Sequence, residues 1–251
     1  MSKYTYPNYP TRHGYMSEKI QRDYILAATA QKLLPVDAHR MADIITLNAP
    51  NDLSKPIQFW QLYSVLGQDR IVAIVRNFYE RVFADEEWFT SVFARVGGVE
   101  HHIMTQASMW IDVMGGGPAY HGGDFRLNFH HTHNAMQLMT DRGAERWTRL
   151  MLDTLDACDR HMTDDPRVRP ALNTFMNFFM GKYAQEFGFE NKSVFGETNP
   201  PVRRKLNFMR MTADAIEALS EDELRAALSE LGVDAAQYKS KQDLVNKAQM
   251  L

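Results

Sequence analysis

The sequence lacks several features that would point to a function by themselves. Its 251 residues include one cysteine, Cys158, so no disulfide can form within the chain, and we expect a reducing compartment. No apolar run reaches the roughly 18 residues of a membrane span, and the net charge of -3 does not indicate nucleic-acid binding. Residues 1–16 are polar and aromatic. We therefore expect no signal peptide, no membrane association and a cytoplasmic location.

Motifs for metals held by protein ligands alone are also missing. The sequence has no His-Glu-x-x-His and no Glu-x-x-His. A structural zinc ion needs four ligands, of which a pair of nearby histidines supplies two. A di-iron carboxylate bundle needs Glu-x-x-His pairs on two helices. Both kinds of site are therefore disfavoured.

Histidine is instead concentrated in one region. Six of the nine histidines fall between His101 and His133, and FHHTHNAM, residues 129–136, places three within four positions. Each histidine taken alone is more typical of a hydrogen-bonded core position or of the surface. One neutral imidazole facing an apolar cavity would however suit a heme iron, and the 15 Met and 14 Phe residues can line such a cavity.

Apolar periodicity predicts helices and no strands. The clearest example has Ile71, Ile74, Val75, Phe78, Val82 and Phe83 on one face. Two stretches read as irregular connectors, residues 84–98 and residues 120–129. The predicted helices cover residues 18–34, 36–48 (weaker), 59–83, 99–114, a short segment from His130, 145–162 and 171–187. We expect an all-α fold.

Turn-rich segments divide the chain into four parts. We predict an N-terminal extension at 1–57, a main helical domain at 58–187, a linker at 188–205 and a small helical C-terminal unit at 206–251.

The order of short motifs carries a resemblance. Phe78-Tyr79 ends the first long helix, Phe93 follows at the next corner, and Gly115-Gly116-Gly117-Pro118 with Tyr120 precedes the histidine run. Trp147 lies one helix later. In this order, residues 58–187 resemble the truncated, or two-over-two, hemoglobins. The resemblance implies a globin-like two-over-two helical sandwich, here with extra N-terminal helices and a C-terminal helical hairpin.

The resemblance also implies one proximal histidine that binds the heme iron. In the family this histidine is followed by apolar residues three and five positions on and by a tryptophan thirteen or fourteen on. From His133 these positions hold Met136, Leu138 and Trp147. From His131 they hold Asn134 and Met136, with no matching tryptophan. We therefore expect His133 as the metal ligand, with His130 and His131 as flanking residues.

Two registers are open for the distal helix. Counting back from Trp110 places His102 and Gln106 towards the iron, whereas counting from Pro118 places Ile103 and Ala107 there. We prefer the first register. The residues expected to bind the cofactor are then His133, Tyr79, Phe78, Phe93, His102, Gln106, Trp110, Tyr120 and Trp147.

The implied function is a heme-binding globin with one non-covalent heme b, since no Cys-x-x-Cys-His is present. Its ligand would be O2, NO or CO, used in ligand scavenging, redox chemistry or NO detoxification rather than in bulk transport. One alternative is a heme-based gas or redox sensor that acts through the terminal extensions; another is a globin scaffold that has lost heme. A reductase and a second copy of the chain are conceivable partners, and whether the protein is an enzyme stays open.

The C-terminal unit carries two helix-start signals, Ser220 to Glu223 and Ser240 to Asp243. Residues 219–249 loosely resemble the SAP-type helix-extended-helix motif, which binds nucleic acid. They contain six acidic and four basic residues, however, and phosphate contacts need clustered Lys and Arg. We expect a helical hairpin used for packing, without strong binding to DNA.

Overall fold

The computed structural model describes residues 9–34, 46–158, 161–192, 195–199, 206 and 208–251. Across these ranges the residues form helices and loops, and the one strand-like pairing is an isolated bridge between Arg12 and Gly116. The prediction of an all-α fold is confirmed. The described residues form two compact units, one of residues 9–20 and 46–199 and the other of residues 21–34, 206 and 208–251.

The helices carry most of the chain in the order that the apolar periodicity predicts. Their bounds are α1 Ser17–Ala30, α2 Tyr63–Phe83, α3 Glu87–Ala94, α4 Val99–Val113, α5 Gly123–Phe129, α6 Asp141–Ala157, α7 Val168–Phe187, α8 Ala213–Ala218, α9 Glu221–Glu230 and α10 Lys241–Gln249. The weaker helix predicted at 36–48 lies almost entirely outside the described residues.

Two predictions about connectors are wrong. The stretch 84–98 contains α3, in which Phe89, Val92 and Phe93 are buried at a helical spacing. The stretch 120–129 contains α5, which begins right after Gly122 in the left-handed region at φ 90°. A short helix was expected only from His130. That residue instead begins a single π-helical turn, His130–Asn134, which continues α5.

The core of the first unit is built around α2. Five of the six residues predicted to share a face of this helix are fully buried, and Phe83 is half-buried. The helix α2 packs against both α4 and α6. Burying a large aliphatic or aromatic side chain contributes about 1.5–3 kcal/mol. Rings extend the contact: Phe78 meets Trp147 of α6 at 5.1 Å between centroids, and Trp110 of α4 meets Phe175 of α7 at 5.3 Å.

The described part of the segment predicted to be a linker, residues 188–205, is held by hydrogen bonds within the first unit. The Glu190 amide donates to Asp141 Oδ1 at 2.7 Å, and Asn173 Nδ2 donates to the Glu197 carbonyl at 2.9 Å. The Asn199 amide donates to Thr174 Oγ1 at 2.8 Å. These residues therefore pack on α6 and α7.

The second unit has a small core of its own, whose buried members include Ile216, Leu224, Leu228 and Leu244. Both predicted helix starts are present. Ser220 and Glu223 form a capping box at α9, and the Ser240 hydroxyl accepts from the Asp243 amide at α10. A third helix, α8, precedes them. In the described ranges, no helix is long and apolar enough to cross a bilayer.

Candidate functional site

A cavity lies in the first unit, bounded by α4, α6, α7 and the region from α5 through the π turn. The empty space within it, including the solvent at its open mouth, is about 1020 Å³. The wall is mostly apolar. Its large apolar members are Phe93, Met109, Trp110, Leu127, Leu138, Met139, Trp147, Phe175, Met176, Phe179, Met180 and Phe189.

Most of the residues predicted to bind a cofactor line this cavity. They are Tyr79, Phe93, His102, Gln106, Trp110, Tyr120 and Trp147. Phe78 does not line it: this ring is fully buried behind the wall, where it packs edge-on against both Tyr79 and Trp147. His133 does not line it either.

The distal helix has the first of its two registers. His102, Gln106 and Trp110 recur every four residues on the face of α4 that meets the cavity. Ile103 and Ala107 face a separate surface depression together with Gly116 and Pro118. Counting from Trp110 therefore predicts the helix rotation correctly.

A pair of polar side chains joins α2 to α4 at the cavity wall. The Tyr79 hydroxyl donates to Gln106 Oε1 at 2.5 Å. Burial raises the pKa of Tyr79, so its hydroxyl stays protonated and remains a donor. This pair is a polar feature in a wall that is mostly apolar.

His102 lies next to that pair. Its Nε2 is 2.9 Å from the Phe93 carbonyl, to which the imidazole donates, and its ring stacks on Tyr79 with 5.3 Å between centroids. Burial is the main cause of a lowered pKa for His102. The side chain is thus a neutral ring whose Nε2–H already has an acceptor.

The π turn decides which histidines reach the cavity. Adjacent residues of an α-helix point about 100° apart, but the wider turn at 130–134 brings both His130 and His131 to the wall. His133 is exposed. Its ring stacks on Phe129 at 4.2 Å, and its Nδ1 lies 2.8 Å from Thr132 Oγ1. The spacing that favours His133 comes from the resemblance to the family, whereas the π turn sets which histidines face the cavity in this structure.

His131 has the geometry of an oriented metal-ligand imidazole. Its Nδ1 donates to the Leu127 carbonyl at 2.8 Å. Because a carbonyl can only accept, Nδ1 carries the proton and Nε2 keeps its lone pair. Burial lowers the pKa of His131 to about 3 and that of His130 to about 4, so both rings are neutral at pH 7.

The largest part of the site that the sequence-based prediction missed is α7. Met176, Phe179, Met180 and Tyr183 line the cavity at spacings of three and four. The Tyr183 ring lies 4.1 Å from the His131 ring, and the buried Tyr183 hydroxyl has no hydrogen-bond partner within the described ranges. The sequence shows this periodicity, which predicts a helix but does not by itself indicate that one face of the helix lines a cavity.

Three or more His, Cys, Asp or Glu side chains never come close enough together to hold a metal ion anywhere in the described part of the chain. Among the cavity-lining residues, the imidazoles are those of His102, His130 and His131. A metal held at the wall by protein side chains would therefore depend on one or two nitrogen ligands.

The comparisons with known proteins agree with this geometry. Residues 61–180 match the family model described as bacterial-like globin. The chain is 31% identical over 119 residues to "Group 2 truncated hemoglobin 3-1" of Lotus japonicus, which covers 47% of this chain and 66% of that protein. It is 33% identical over 96 residues to "Two-on-two hemoglobin-3" of Arabidopsis thaliana, covering 38% of this chain and 54% of that protein.

The chain thus spans a little less than two thirds of the first relative and about half of the second. No solved structure shows a significant match. The matched segment, residues 61–180, holds α2 to α6 and most of α7, and with them the cavity wall from Tyr79 to Met180. Residues 61–180 are therefore a globin segment that is similar to the truncated hemoglobins.

Proposed function

We propose that the protein is a heme-binding globin that binds a diatomic ligand, and that His131 is the residue that holds the heme iron. The observation that carries this proposal is the His131 imidazole itself. It is half-buried, neutral and oriented by the Leu127 carbonyl, and it lies on the wall of an apolar cavity. Imidazoles that bind metals commonly donate their other ring N–H to such a carbonyl.

The remaining wall suits a porphyrin. A flat apolar macrocycle needs large apolar side chains on both sides, and α4 and α7 supply them with Trp110, Phe175 and Phe179. The buried Tyr183 hydroxyl, which is unpaired within the described ranges, is a donor for a polar group at that end of the cavity. The donor set therefore fits heme better than a bare metal ion.

Heme would supply a single iron with one position open to a small ligand. The chain's own residues would then set the polarity around that ligand. Tyr79 donates its one hydroxyl proton to Gln106 and would turn it to a bound ligand, and Trp147, whose indole N–H is a second possible donor, lines the same cavity. A hydrogen bond to a partly charged ligand is worth about 1.5–3 kcal/mol. A wall with two such donors favours slow ligand release.

Heme of the b type is the form that this chain can hold. Its one cysteine, Cys158, is buried beside Asn77, whose Nδ2 lies 3.3 Å from the sulfur, and it is not among the cavity-lining residues. Covalent attachment through a Cys-x-x-Cys-His motif would need two cysteines. We infer that shape and the axial histidine retain the group.

Slow release favours ligand scavenging, redox chemistry or NO detoxification over bulk transport of O2. A catalytic cycle of that kind would need a reductase as partner. A sensor is the second candidate. The observation that favours it is the second unit, which has its own buried core and capped helices and is not required to line the cavity.

The visible absorption spectrum tests the proposal directly. Titration of the cofactor-free protein with hemin is expected to give a saturating Soret band at one equivalent, with a shift on reduction and on addition of CO. A matched sample of denatured protein controls for non-specific hemin binding. A protein that gains no such band would not be a heme globin and would fit the scaffold alternative.

A further inference from the structure

One buried carboxylate joins the N-terminal arm, residues 9–16, to the wall of the cavity. Asp112 lies in the last turn of α4 and is fully buried. Its Oδ1 accepts from the Met16 amide at 2.8 Å, and its Oδ2 accepts from the Tyr15 amide at 3.1 Å. The same Oδ2 accepts from the Tyr120 amide at 3.1 Å. Three backbone N–H groups from two distant segments therefore meet on one side chain.

The arm fits closely against this end of α4. Ser17 Oγ donates to the Asp112 carbonyl at 2.9 Å and accepts from the Gly14 amide at 2.8 Å. The Arg12 amide donates to the Gly115 carbonyl at 2.9 Å. A Cβ at position 14 would lie 2.1 Å from Asp112 Oδ1, which is far inside contact distance. A larger residue at position 14 must therefore displace the carboxylate or the arm.

Tyr120 links the Asp112 carboxylate to the cavity wall. Its ring is buried, lines the cavity and lies under the Arg126 guanidinium, 4.6 Å from the ring centroid. Its amide is the donor that Asp112 holds. Asp112 itself does not line the cavity. A displacement of the Asp112 carboxylate would consequently move Tyr120 and so change the shape of the cavity wall.

A carboxylate fits this role better than a neutral acceptor. A buried carboxylate loses hydration on folding, and hydrogen bonds to its charged form offset that loss. Its two oxygens can accept from several donors at once, whereas an asparagine at the same place would turn an NH2 group towards one of the amides. The three N–H donors thus occupy three of the about four lone-pair sites of the Asp112 carboxylate.

We propose that Asp112 is a positioning residue that couples the N-terminal arm to the cavity wall at Tyr120. The arm is then part of the site and not merely an extension of the globin. The consequence for cofactor retention rests on the proposed function, whereas the consequence for the Tyr120 amide does not.

A double-substitution cycle on the full chain tests the coupling. Gly14→Ala forces the carboxylate away, Asp112→Ala removes it, and the double variant combines them. The direct readout is hydrogen exchange of the Tyr120 amide, followed by NMR in the cofactor-free protein. We expect each single variant to speed this exchange about tenfold, the effect of losing one charge-assisted hydrogen bond. In the Asp112→Ala background, Gly14→Ala should add little.

Gly98→Ala is the matched control, because a Cβ there meets open space. It should leave Tyr120 exchange unchanged. Ser17→Ala is a second probe that loosens the arm without touching the carboxylate, and it should speed Tyr120 exchange in the same direction. If Asp112→Ala does not fold, Gly14→Ala and Ser17→Ala decide the matter. Native-like Tyr120 exchange in these variants, or additive effects in the double variant, would overturn the proposal.

Hemin dissociation, measured by transfer to excess apomyoglobin, extends the test to the cofactor. We expect faster hemin loss in the same variants that expose the Tyr120 amide, and no change in Gly98→Ala. Hemin loss at the native rate despite fast Tyr120 exchange would overturn the role of the arm in the site. If the native protein takes up no hemin at all, the proposed function fails, while the exchange experiment still tests the coupling.

Discussion

The Tyr79 hydroxyl and Gln106 Oε1 are 2.5 Å apart and join α2 to α4 at the cavity wall. The Tyr79 hydroxyl has a single proton, and this proton points to Gln106. To donate to a bound ligand, Tyr79 would have to turn that proton away from Gln106. The pair therefore gives the most specific expectations about ligand binding.

Tyr79→Phe should speed oxygen dissociation from the heme-loaded protein about tenfold, because one charge-assisted hydrogen bond of about 1.5 kcal/mol is lost. Stopped-flow dissociation is the measurement. Tyr63→Phe is the control, since Tyr63 lies on α2 outside the cavity. A native rate in Tyr79→Phe would place the main donor elsewhere, with Trp147 the next to test.

Tyr183→Phe should stabilise the cofactor-free protein, because it removes a buried hydroxyl that has no partner within the described ranges. The expected gain in the free energy of unfolding is about 1 kcal/mol. Tyr79→Phe is the matched opposite case and should lower that free energy by about 1 kcal/mol, since it breaks the bond to Gln106. Urea unfolding followed by circular dichroism measures both. Equal effects of the two substitutions would contradict this assignment.

Arg146→Gln should destabilise the protein in a pH-dependent way. Arg146 Nε donates to Asp85 Oδ2 at 2.7 Å, and this hydrogen bond is the main cause of a lowered pKa for Asp85. Because the pKa is lower in the folded state, the pair stabilises above about pH 4 and loses its effect as the pH falls through the folded-state pKa. We expect a loss of about 1 kcal/mol at pH 7.

The comparison of native protein and Arg146→Gln should be repeated by urea unfolding at pH 3, where we expect the difference to shrink. Arg76→Gln is the control, because its partner Glu100 has a side chain that is 62% exposed and screened by water. A difference for Arg146→Gln that is the same at both pH values would show that packing, and not the ion pair, is lost.

Ser220→Ala should loosen α9 in the second unit. Its hydroxyl accepts from the Glu223 amide, and losing such a cap costs about 1 kcal/mol. Ser229→Ala, at an exposed position inside the same helix, should instead be neutral or slightly stabilising. Hydrogen exchange of α9 amides distinguishes the two. Equal protection in both variants would mean that the cap does not limit opening of this unit.

Local rules account for the parts of the fold that the sequence predicted well. The capping box at Ser220 involves residues three apart, and the buried face of α2 follows from one helical period. The distal residues His102, Gln106 and Trp110 also follow from that period once the register is chosen. Interactions between residues three or four positions apart depend little on the rest of the chain.

The choice between the histidines depends on a feature of a different kind. Whether His131 or His133 reaches the cavity depends on a single π turn after α5, and such turns carry no dependable sequence signal. The proposed role of Asp112 could not be predicted from the sequence either, since its partner Met16 lies 96 residues away along the chain. α3, in contrast, was predictable, because Phe89, Val92 and Phe93 already have a helical spacing.

Hemin retention by His131→Ala and His133→Ala is the most direct test of the account. The cavity geometry predicts that His131→Ala loses hemin, or binds it far more weakly in an absorption titration, whereas His133→Ala keeps the native spectrum and affinity. His130→Ala serves as the control for removing a neighbouring imidazole from the same wall. The opposite result, with hemin lost in His133→Ala and retained in His131→Ala, would contradict the proposed axial ligand and restore the assignment based on spacing alone.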